Sequence, residues 1–252
     1  MAVLFLLSVT PAAAQRSSYG FTLSNNTTGL PITGYADIYE KIPFTPCHVS
    51  KAASITKLMF GLLIMRLQEE GVLDIDDPVW KYIDEEILEK IEHPGGMTLR
   101  NLMNHTTGIY DLITDDAFYL AVINNPNKNW LQEELLEFVY GKPLNELTTK
   151  YPAKYSNTNT LLLSMCINEA TGVEHSTLLR EYVLDPLRMD DTYYQSREKL
   201  SETTAQGYFD LYNNKGLTNV SNFTTGRGNG YGGMFYFPES GTSFIVFVNY
   251  GR

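Results

Sequence analysis

Ser54-Ile-Thr-Lys57-Leu-Met-Phe-Gly-Leu-Leu-Ile-Met-Arg66-Leu67 is the stretch that decides the fold. It sets an S-x-x-K at the head of a strongly apolar helix that Gly71 is placed to stop. Leu58, Phe60, Leu62, Leu63, Ile64, Met65 and Leu67 leave little polar surface, so the helix is expected to be buried. Positions i and i+3 share a helix face, which lets a serine hydroxyl meet a lysine amine. The first turn also carries the positive end of the helix dipole, which favours a developing alkoxide. A desolvated lysine beside it can lose its proton and act as base. About one S-x-x-K is expected by chance in a chain of this length. Ser196-Arg-Glu-Lys199 is such a match, in charged surroundings that mark a surface segment. The bland reading of Ser54-Ile-Thr-Lys57 is an N-cap serine and a solvated lysine, but a first-turn lysine opposes the dipole.

Outward from this helix, residues 17–35 read as a hairpin. Tyr19-Gly-Phe-Thr-Leu is strand-like, Asn25 to Gly29 is turn-like, and Pro31 to Ala36 is extended. Short helical segments are expected at Val79–Tyr82, Glu85–Ile91, Thr98–Met103, Ala117–Ile123 and Leu131–Tyr140, with Thr98 as an N-cap. Asn157 to Ala170 is a second apolar helix ending at Thr171-Gly172, and a third runs from Ser176 to Leu184 before Pro186. Met234–Phe237 and Ser243–Asn249 read as two strands joined by Pro238–Gly241. Strands, a long helical middle and strands again predict an α+β fold with an antiparallel sheet flanked by helices. The helical subdomain would span roughly 72–185, inserted between sheet parts 17–50 and 231–250, with 16–252 forming one domain.

The 252 residues are 43% apolar with a formal charge of -10. No basic patch is visible, so nucleic acid and anionic membrane surfaces are disfavoured as partners. Cys47 and Cys166 lack C-x-x-C spacing and read as buried apolar side chains rather than a bridge. The four histidines are scattered without H-E-x-x-H, and no metal or cofactor is expected. Residues 1–15 combine an apolar stretch with Ala12-Ala13-Ala14, like the end of a secretory signal, although a basic start is missing. That points to a secreted or periplasmic setting. The stretch is too short to span a bilayer, and no later segment is long enough. Asn26-Thr-Thr28 and Asn222-Phe-Thr224 are formal glycosylation acceptors.

Tyr155-Ser-Asn157 precedes the second apolar helix, where a phenol and an amide suit a proton relay and a substrate hydrogen bond. Asn157 as a plain N-cap is an equal alternative. Tyr212-Asn-Asn214 repeats the pattern in a polar region and serves as a decoy. His105 in Asn104-His-Thr-Thr-Gly108 is best read as a loop histidine satisfying backbone groups. Asp74, Asp76 and Asp77 lack the calcium-loop pattern and read as turn or cap residues.

The chain resembles the serine β-lactamase-related family, in particular its class C β-lactamase, DD-carboxypeptidase and esterase branch. The stretches that carry the resemblance are GYADIYEKIPFTP before SITK, EEGVLDIDDPVWKYI, MTLRNLMNHTTGIYD, YSNTNTLLLSMCINEATG, VLDPLRMDDTYY and FYFPESGTSFIVFVN, in the family's order. The resemblance implies a β-lactamase/transpeptidase-like fold whose active site lies between the sheet and the helices. It implies that Ser54 attacks a carbonyl to form an acyl-enzyme, that Lys57 and Tyr155 share the proton traffic, and that Asn157 orients Lys57 and the substrate amide. The Ser54 backbone N–H would supply half of the oxyanion hole. His105 and Gly108 match a structural loop. The implied substrate is a β-lactam, a peptidoglycan-type D-amino-acid peptide or a small ester.

One departure stands out. The family's third motif, K-T-G or H-x-G, should lie some fifteen residues before the Phe237-Pro-Glu239 turn. Residues 223–233 contain neither, and Arg227 is the only cation there. The expectation is an internal segment missing near Gly232-Gly233, an incomplete sheet, and a second oxyanion donor that either comes from near Gly233 or Met234 or is lost. A binding or scaffold protein that retains the fold with impaired catalysis is the alternative.

Overall fold

The computed structural model describes residues 19–24, 32–45, 47–93, 95–195, 197–211, 214, 216–221, 231–237, 242–248 and 250–251. Residues 19–24, 32–33 and those from 231 onward are described by their backbone alone. The predicted signal-like segment, both glycosylation acceptors and Arg227 lie outside the described residues, as do the turns expected at Asn25–Gly29 and Pro238–Gly241.

The chain divides into two compact units, one of residues 1–55 with 199–252 and the other of residues 56–198. The first unit holds all the described strands. These are β1 (Tyr19–Ser24), β2 (Ile32–Thr33), β3 (Tyr35–Asp37), β4 (Ile42–Pro43), β5 (Tyr208–Phe209), β6 (Thr218–Asn219), β7 (Tyr231–Phe237), β8 (Thr242–Val248) and β9 (Tyr250–Gly251). The main sheet has the order β2-β1-β8-β7 and is antiparallel throughout. The two strands expected at the N-terminus therefore pair antiparallel, and the C-terminal strands extend their sheet through Phe21↔Val246 and its neighbours. β5 joins β6 antiparallel and β9 parallel. Tyr208 is buried, donates to Asp37 Oδ1 at 2.9 Å and accepts from the Ile38 N–H at 3.1 Å, fastening β5 to the β3 end.

The second unit is helical. Its helices are α1 (Thr56–Glu69), α2 (Glu85–Leu88), α3 (Leu99–Met103), α4 (Asp116–Asn124), α5 (Gln132–Leu136), α6 (Asn157–Thr171) and α7 (His175–Leu179). A π-wound turn, Arg180–Leu184, continues α7 and ends the segment where Pro186 was expected to end it. Starts and stops follow local chemistry. Thr98 caps α3 by accepting from the Asn101 N–H, and Asn101 Oδ1 returns the bond to the Thr98 N–H. Gly172, at φ 67°, closes α6 with its N–H on the Asn168 carbonyl.

The core of this unit gathers Leu63, Ile64 and Leu67 of α1, Leu99 and Leu102 of α3, Leu136 of α5 and Leu162, Cys166 and Ile167 of α6. Each such aliphatic side chain contributes about 1.5–3 kcal/mol by leaving water. α1 departs from the sequence reading. Leu58, Leu62 and Met65, spaced four and three apart on one face, remain 50%, 44% and 41% exposed. Within its unit α1 packs on the Phe60, Leu63, Ile64 and Leu67 side, so an apolar composition all round did not bring burial all round. The cysteines also split. Cys166 is buried, and burial pushes its thiol up to about 12. Cys47 is free and exposed, because it sits in a surface bend outside any packed element.

The acidic loop after α1 does structural work. Asp76 holds the Arg100 guanidinium through both oxygens, at 2.6 and 2.8 Å. Asp77 accepts from Lys81 Nζ at 2.8 Å, from the Tyr82 hydroxyl and from the Asp74 N–H. The Lys81 bond foremost, then Tyr82, holds the Asp77 carboxyl at about 2, well below its ordinary 3.8. Its contribution to stability is complete above pH about 4 and fades as pH falls through about 2. Thermal unfolding of Asp77→Asn should show a deficit against the parent at neutral pH that narrows below pH about 4 and vanishes under pH about 2.

Gly108 is buried at φ 72°, and a Cβ there would lie 2.8 Å from the Asn145 carbonyl oxygen. Gly71 has a similar φ of 71° but open space around it. Chemical denaturation should therefore separate the two. Gly71→Ala is expected to cost about 1 kcal/mol from backbone strain alone, and Gly108→Ala at least about 2 kcal/mol more through the added clash.

Candidate active site

Ser54 lies in the 3₁₀ turn Ala53–Ile55 of the sheet unit, directly before α1 begins at Thr56. The approach to it is pinned to residues 203–205: the Val49 N–H donates to the Thr203 carbonyl at 3.1 Å and the Ala205 N–H to the Val49 carbonyl at 2.8 Å. Ala53 sits at φ 47°, a conformation an L-residue adopts only at a cost of about 1–2 kcal/mol. The turn thus presents Ser54, which is exposed, on a strained and tethered backbone. Strand β7, at the edge of the main sheet among the described residues, runs alongside this turn. Gly233 pairs with Val246 and Met234 with Ile245, so both belong to that edge strand. An edge strand keeps one row of its backbone donors and acceptors outside the sheet's own ladder.

Lys57, Tyr155 and Asn157 come together in the helical unit. Lys57, in the first turn of α1, donates from Nζ to Asn157 Oδ1 at 2.8 Å. Its ammonium lies 5.0 Å from the centroid of the Tyr155 ring. The Tyr155 hydroxyl donates to the same Asn157 Oδ1 at 3.4 Å. Asn157 is not an N-cap. Ser156 holds that position without a side-chain cap bond, and Asn157 is the first helical residue, its side chain turned to Lys57.

His105 proves to be more than a loop residue satisfying backbone. Its Nδ1 meets the Ser156 N–H at 3.4 Å and the Asn159 side-chain nitrogen at 3.0 Å, and its carbonyl accepts from the Lys154 N–H at 2.9 Å. Its ring also packs on Tyr155, with centroids 4.6 Å apart. Burial, joined by the nearby Lys57 charge, holds the imidazole below its ordinary pKa, which keeps it neutral beside Lys57.

Two residues escaped the sequence reading. Asp111 accepts from both the backbone and the side-chain nitrogen of Asn157. It stands in Ile109-Tyr-Asp111, where a carboxylate three residues past a glycine looks like any turn residue, and its partner is 46 positions away. Lys51, three residues before Ser54, donates to the Ser221 carbonyl at 3.1 Å, and burial lowers its pKa to about 8. Its signal was a lone lysine in an apolar-to-small run, Ser50-Lys-Ala-Ala53. Among the described residues, no group of acidic, histidine or cysteine side chains is arranged to hold a metal ion, and no helix is long and apolar enough to cross a membrane.

Known proteins resemble this chain in sequence and in fold. Protein flp of Staphylococcus aureus (strain MW2) is 28% identical over 176 residues, covering 69% of this chain. Penicillin-binding protein 4* of Bacillus subtilis (strain 168) is 26% identical over 169 residues, covering 65%. The chain spans about a third of the length of these curated relatives, 34% in each case. Among solved structures, a D-stereospecific amidohydrolase from Streptomyces sp. superposes with a TM-score of 0.72 at 19% identity, over 94% of each chain. The D-amino acid amidase of Ochrobactrum anthropi SV3 gives a TM-score of 0.72 at 20% identity, over 92% of this chain and 86% of its own. At these identities the likeness establishes the fold, which is the α+β, β-lactamase/transpeptidase-like arrangement expected from the sequence. The Beta-lactamase family model matches residues 9–249, nearly the whole chain, and the protein therefore belongs to the beta-lactamase family.

Proposed function

We propose that this protein is a serine hydrolase that forms an acyl-enzyme through Ser54. The observation that carries the reading is the Lys57–Asn157–Tyr155 constellation, centred on the 2.8 Å bond from Lys57 Nζ to Asn157 Oδ1, three residues after an exposed serine on a strained turn. Lys57 gives one N–H to Asn157 and, once deprotonated as the base role requires, keeps its lone pair for the Ser54 proton. In the proposed step the Ser54 oxygen attacks the substrate carbonyl carbon while its proton passes to Lys57. The carbonyl π pair moves onto oxygen, where the Ser54 N–H and a backbone N–H of the Gly233–Met234 edge receive it. Collapse expels the leaving amine or alkoxide, which takes a proton relayed by Tyr155. Water then cleaves the ester, returning Ser54 and releasing the acid.

The substrate proposed is an amide or β-lactam whose acyl side carries a D-residue, or a small ester of that shape. The similarity to proteins described as a D-stereospecific amidohydrolase, a D-amino acid amidase and a penicillin-binding protein supports this choice. A secreted or periplasmic setting, argued from residues 1–15, fits such a substrate.

A second reading rests on one specific observation: residues 223–233 carry no K-T-G or H-x-G. Under it the fold binds its ligand and turns over slowly. Losing one oxyanion donor lowers turnover about a hundred- to a thousandfold. Incubation with a fluorescent penicillin and with an activated D-amino acid ester separates the two. Intact mass should show one covalent adduct, absent in Ser54→Ala. No adduct from either probe, with circular dichroism showing folded protein, would sink the hydrolase reading in favour of the binding one.

Tyr155→Phe deletes a hydroxyl and leaves the ring against His105 and Lys57. The rate of adduct formation should fall about a hundredfold or more while the melting temperature stays within a few degrees of the parent. An unchanged rate would remove Tyr155 from the proton path.

A further inference from the structure

We infer that Asp111 is a positioning residue, fixing which end of the Asn157 amide faces Lys57. This rests on the acylation reading above for its consequence, but on geometry alone for its substance. The Asn157 side-chain nitrogen donates to Asp111 Oδ1 at 3.2 Å and to Oδ2 at 3.1 Å. The Asn157 backbone N–H donates to Oδ1 at 2.9 Å. An amide offers two donors at one end and an acceptor at the other, whereas a carboxylate only accepts. With the NH₂ end held by Asp111, the carbonyl end must point to Lys57, where it accepts at 2.8 Å.

The reverse orientation is penalised at both ends. The amide oxygen would face a carboxylate, and the amide hydrogens would face the lysine nitrogen. A neutral lysine in that arrangement would spend its lone pair on the Asn157 N–H, and that is the pair needed to take the Ser54 proton. The amide direction therefore keeps Lys57 the donor to Asn157, so that its lone pair, once the amine is deprotonated for the base role, is left for the Ser54 proton.

Asp111 is itself held fast. Its Oδ1 also accepts from the Ile113 N–H at 3.4 Å, capping the short turn Leu112–Thr114. The flanking backbone is stitched to the first turn of α6. The Tyr110 carbonyl accepts from Thr158 Oγ1 at 2.6 Å and from Ser156 Oγ at 3.2 Å, and the Leu112 N–H donates to Thr158 Oγ1 at 3.1 Å. Asp111 thereby supplies the acceptor that Ser156 does not offer at the α6 N-terminus, where a negative charge also suits the helix dipole. Capping and amide orientation are two separable roles of one carboxylate.

The test is a double-mutant cycle in the full chain, read by single-turnover acylation of Ser54 with the activated ester. Asp111→Asn is expected to lower the maximal acylation rate about ten- to a hundredfold and to leave the ester concentration at half-rate within about twofold. In an Asn157→Ala background the same substitution should cost less than about twofold, since no amide remains to orient. Asp111→Glu, which again rejects the amide oxygen, should be faster than Asp111→Asn. A capping role alone predicts equal losses in both backgrounds, because the α6 backbone N–H persists in each. Equal losses, a parental rate in Asp111→Asn, or an Asp111→Glu no faster than Asp111→Asn would each overturn the inference.

The orientation is also readable without chemistry. The Asn157 side-chain NH₂ resonance, assigned by its disappearance in Asn157→Ala, should be exchange-protected in the parent and shifted in Asp111→Asn. An unprotected resonance overturns the inference even where Ser54 is acylated. A protected resonance in a parent protein that forms no adduct overturns the acylation reading and leaves the inference standing.

Discussion

The hydrogen bond from Lys57 to Asn157 ties the first turn of α1 to the first turn of α6. These two helices carry much of the helical unit's buried apolar surface, so their relative placement is set by packing that extends well beyond the polar pair. The constraint works in both directions. The core places a lysine and an amide within bonding range, and the bond gives each a partner where solvent is partly excluded, as a buried polar group requires. His105 and Tyr155 extend the same logic outward. One histidine nitrogen answers groups from the α6 entrance while the ring's face supports the tyrosine, so a loop residue and a phenol are indexed to the same helix end.

The parts of the fold set by local chemistry could be read from the chain. Thr98 and Asn101 are a capping pair within four residues, Gly172 meets the left-handed stop of a helix, and Tyr19–Leu23 alternates as a strand. Each depends on neighbours in sequence. The residues that resisted reading depend on distant partners. Asp111 has no sequence mark because Asn157 makes it meaningful. The exposed Leu58, Leu62 and Met65 show the opposite failure: composition records how apolar a helix is but not which side finds a partner. The π-wound turn at Arg180–Leu184 belongs here too. Arg180 binds Glu198 and the Thr192 carbonyl, contacts that periodicity does not encode.

At the candidate site the same division holds. Ser54, Lys57, Tyr155 and Asn157 could be named as candidates because two short spacings, S-x-x-K and Y-x-N, stand near the heads of apolar helices, and of these Lys57, Tyr155 and Asn157 meet in the helical unit. What the missing third motif does to catalysis was not, because it turns on a strand edge. Among the described residues, Gly233 and Met234 lie on the edge strand of the sheet, beside the turn that holds Ser54. A backbone row can replace a backbone donor from another segment, since the N–H group is the same whatever side chain accompanies it. It cannot replace a cationic side chain by that route.

The strained residue before Ser54 has one more consequence. Glycine would accept φ 47° without steric conflict, yet the chain has alanine at position 53. A methyl group there narrows the conformations open to the turn in both the unfolded and folded ensembles. The left-handed bend is then not a relaxed choice but a conformation imposed by the anchors at Val49, Thr203 and Ala205. Stiffness at this point comes from opposition between a residue that resists the bend and a scaffold that enforces it. A hinge made of glycine would reach the same angle with nothing pushing back, and would hold it less sharply.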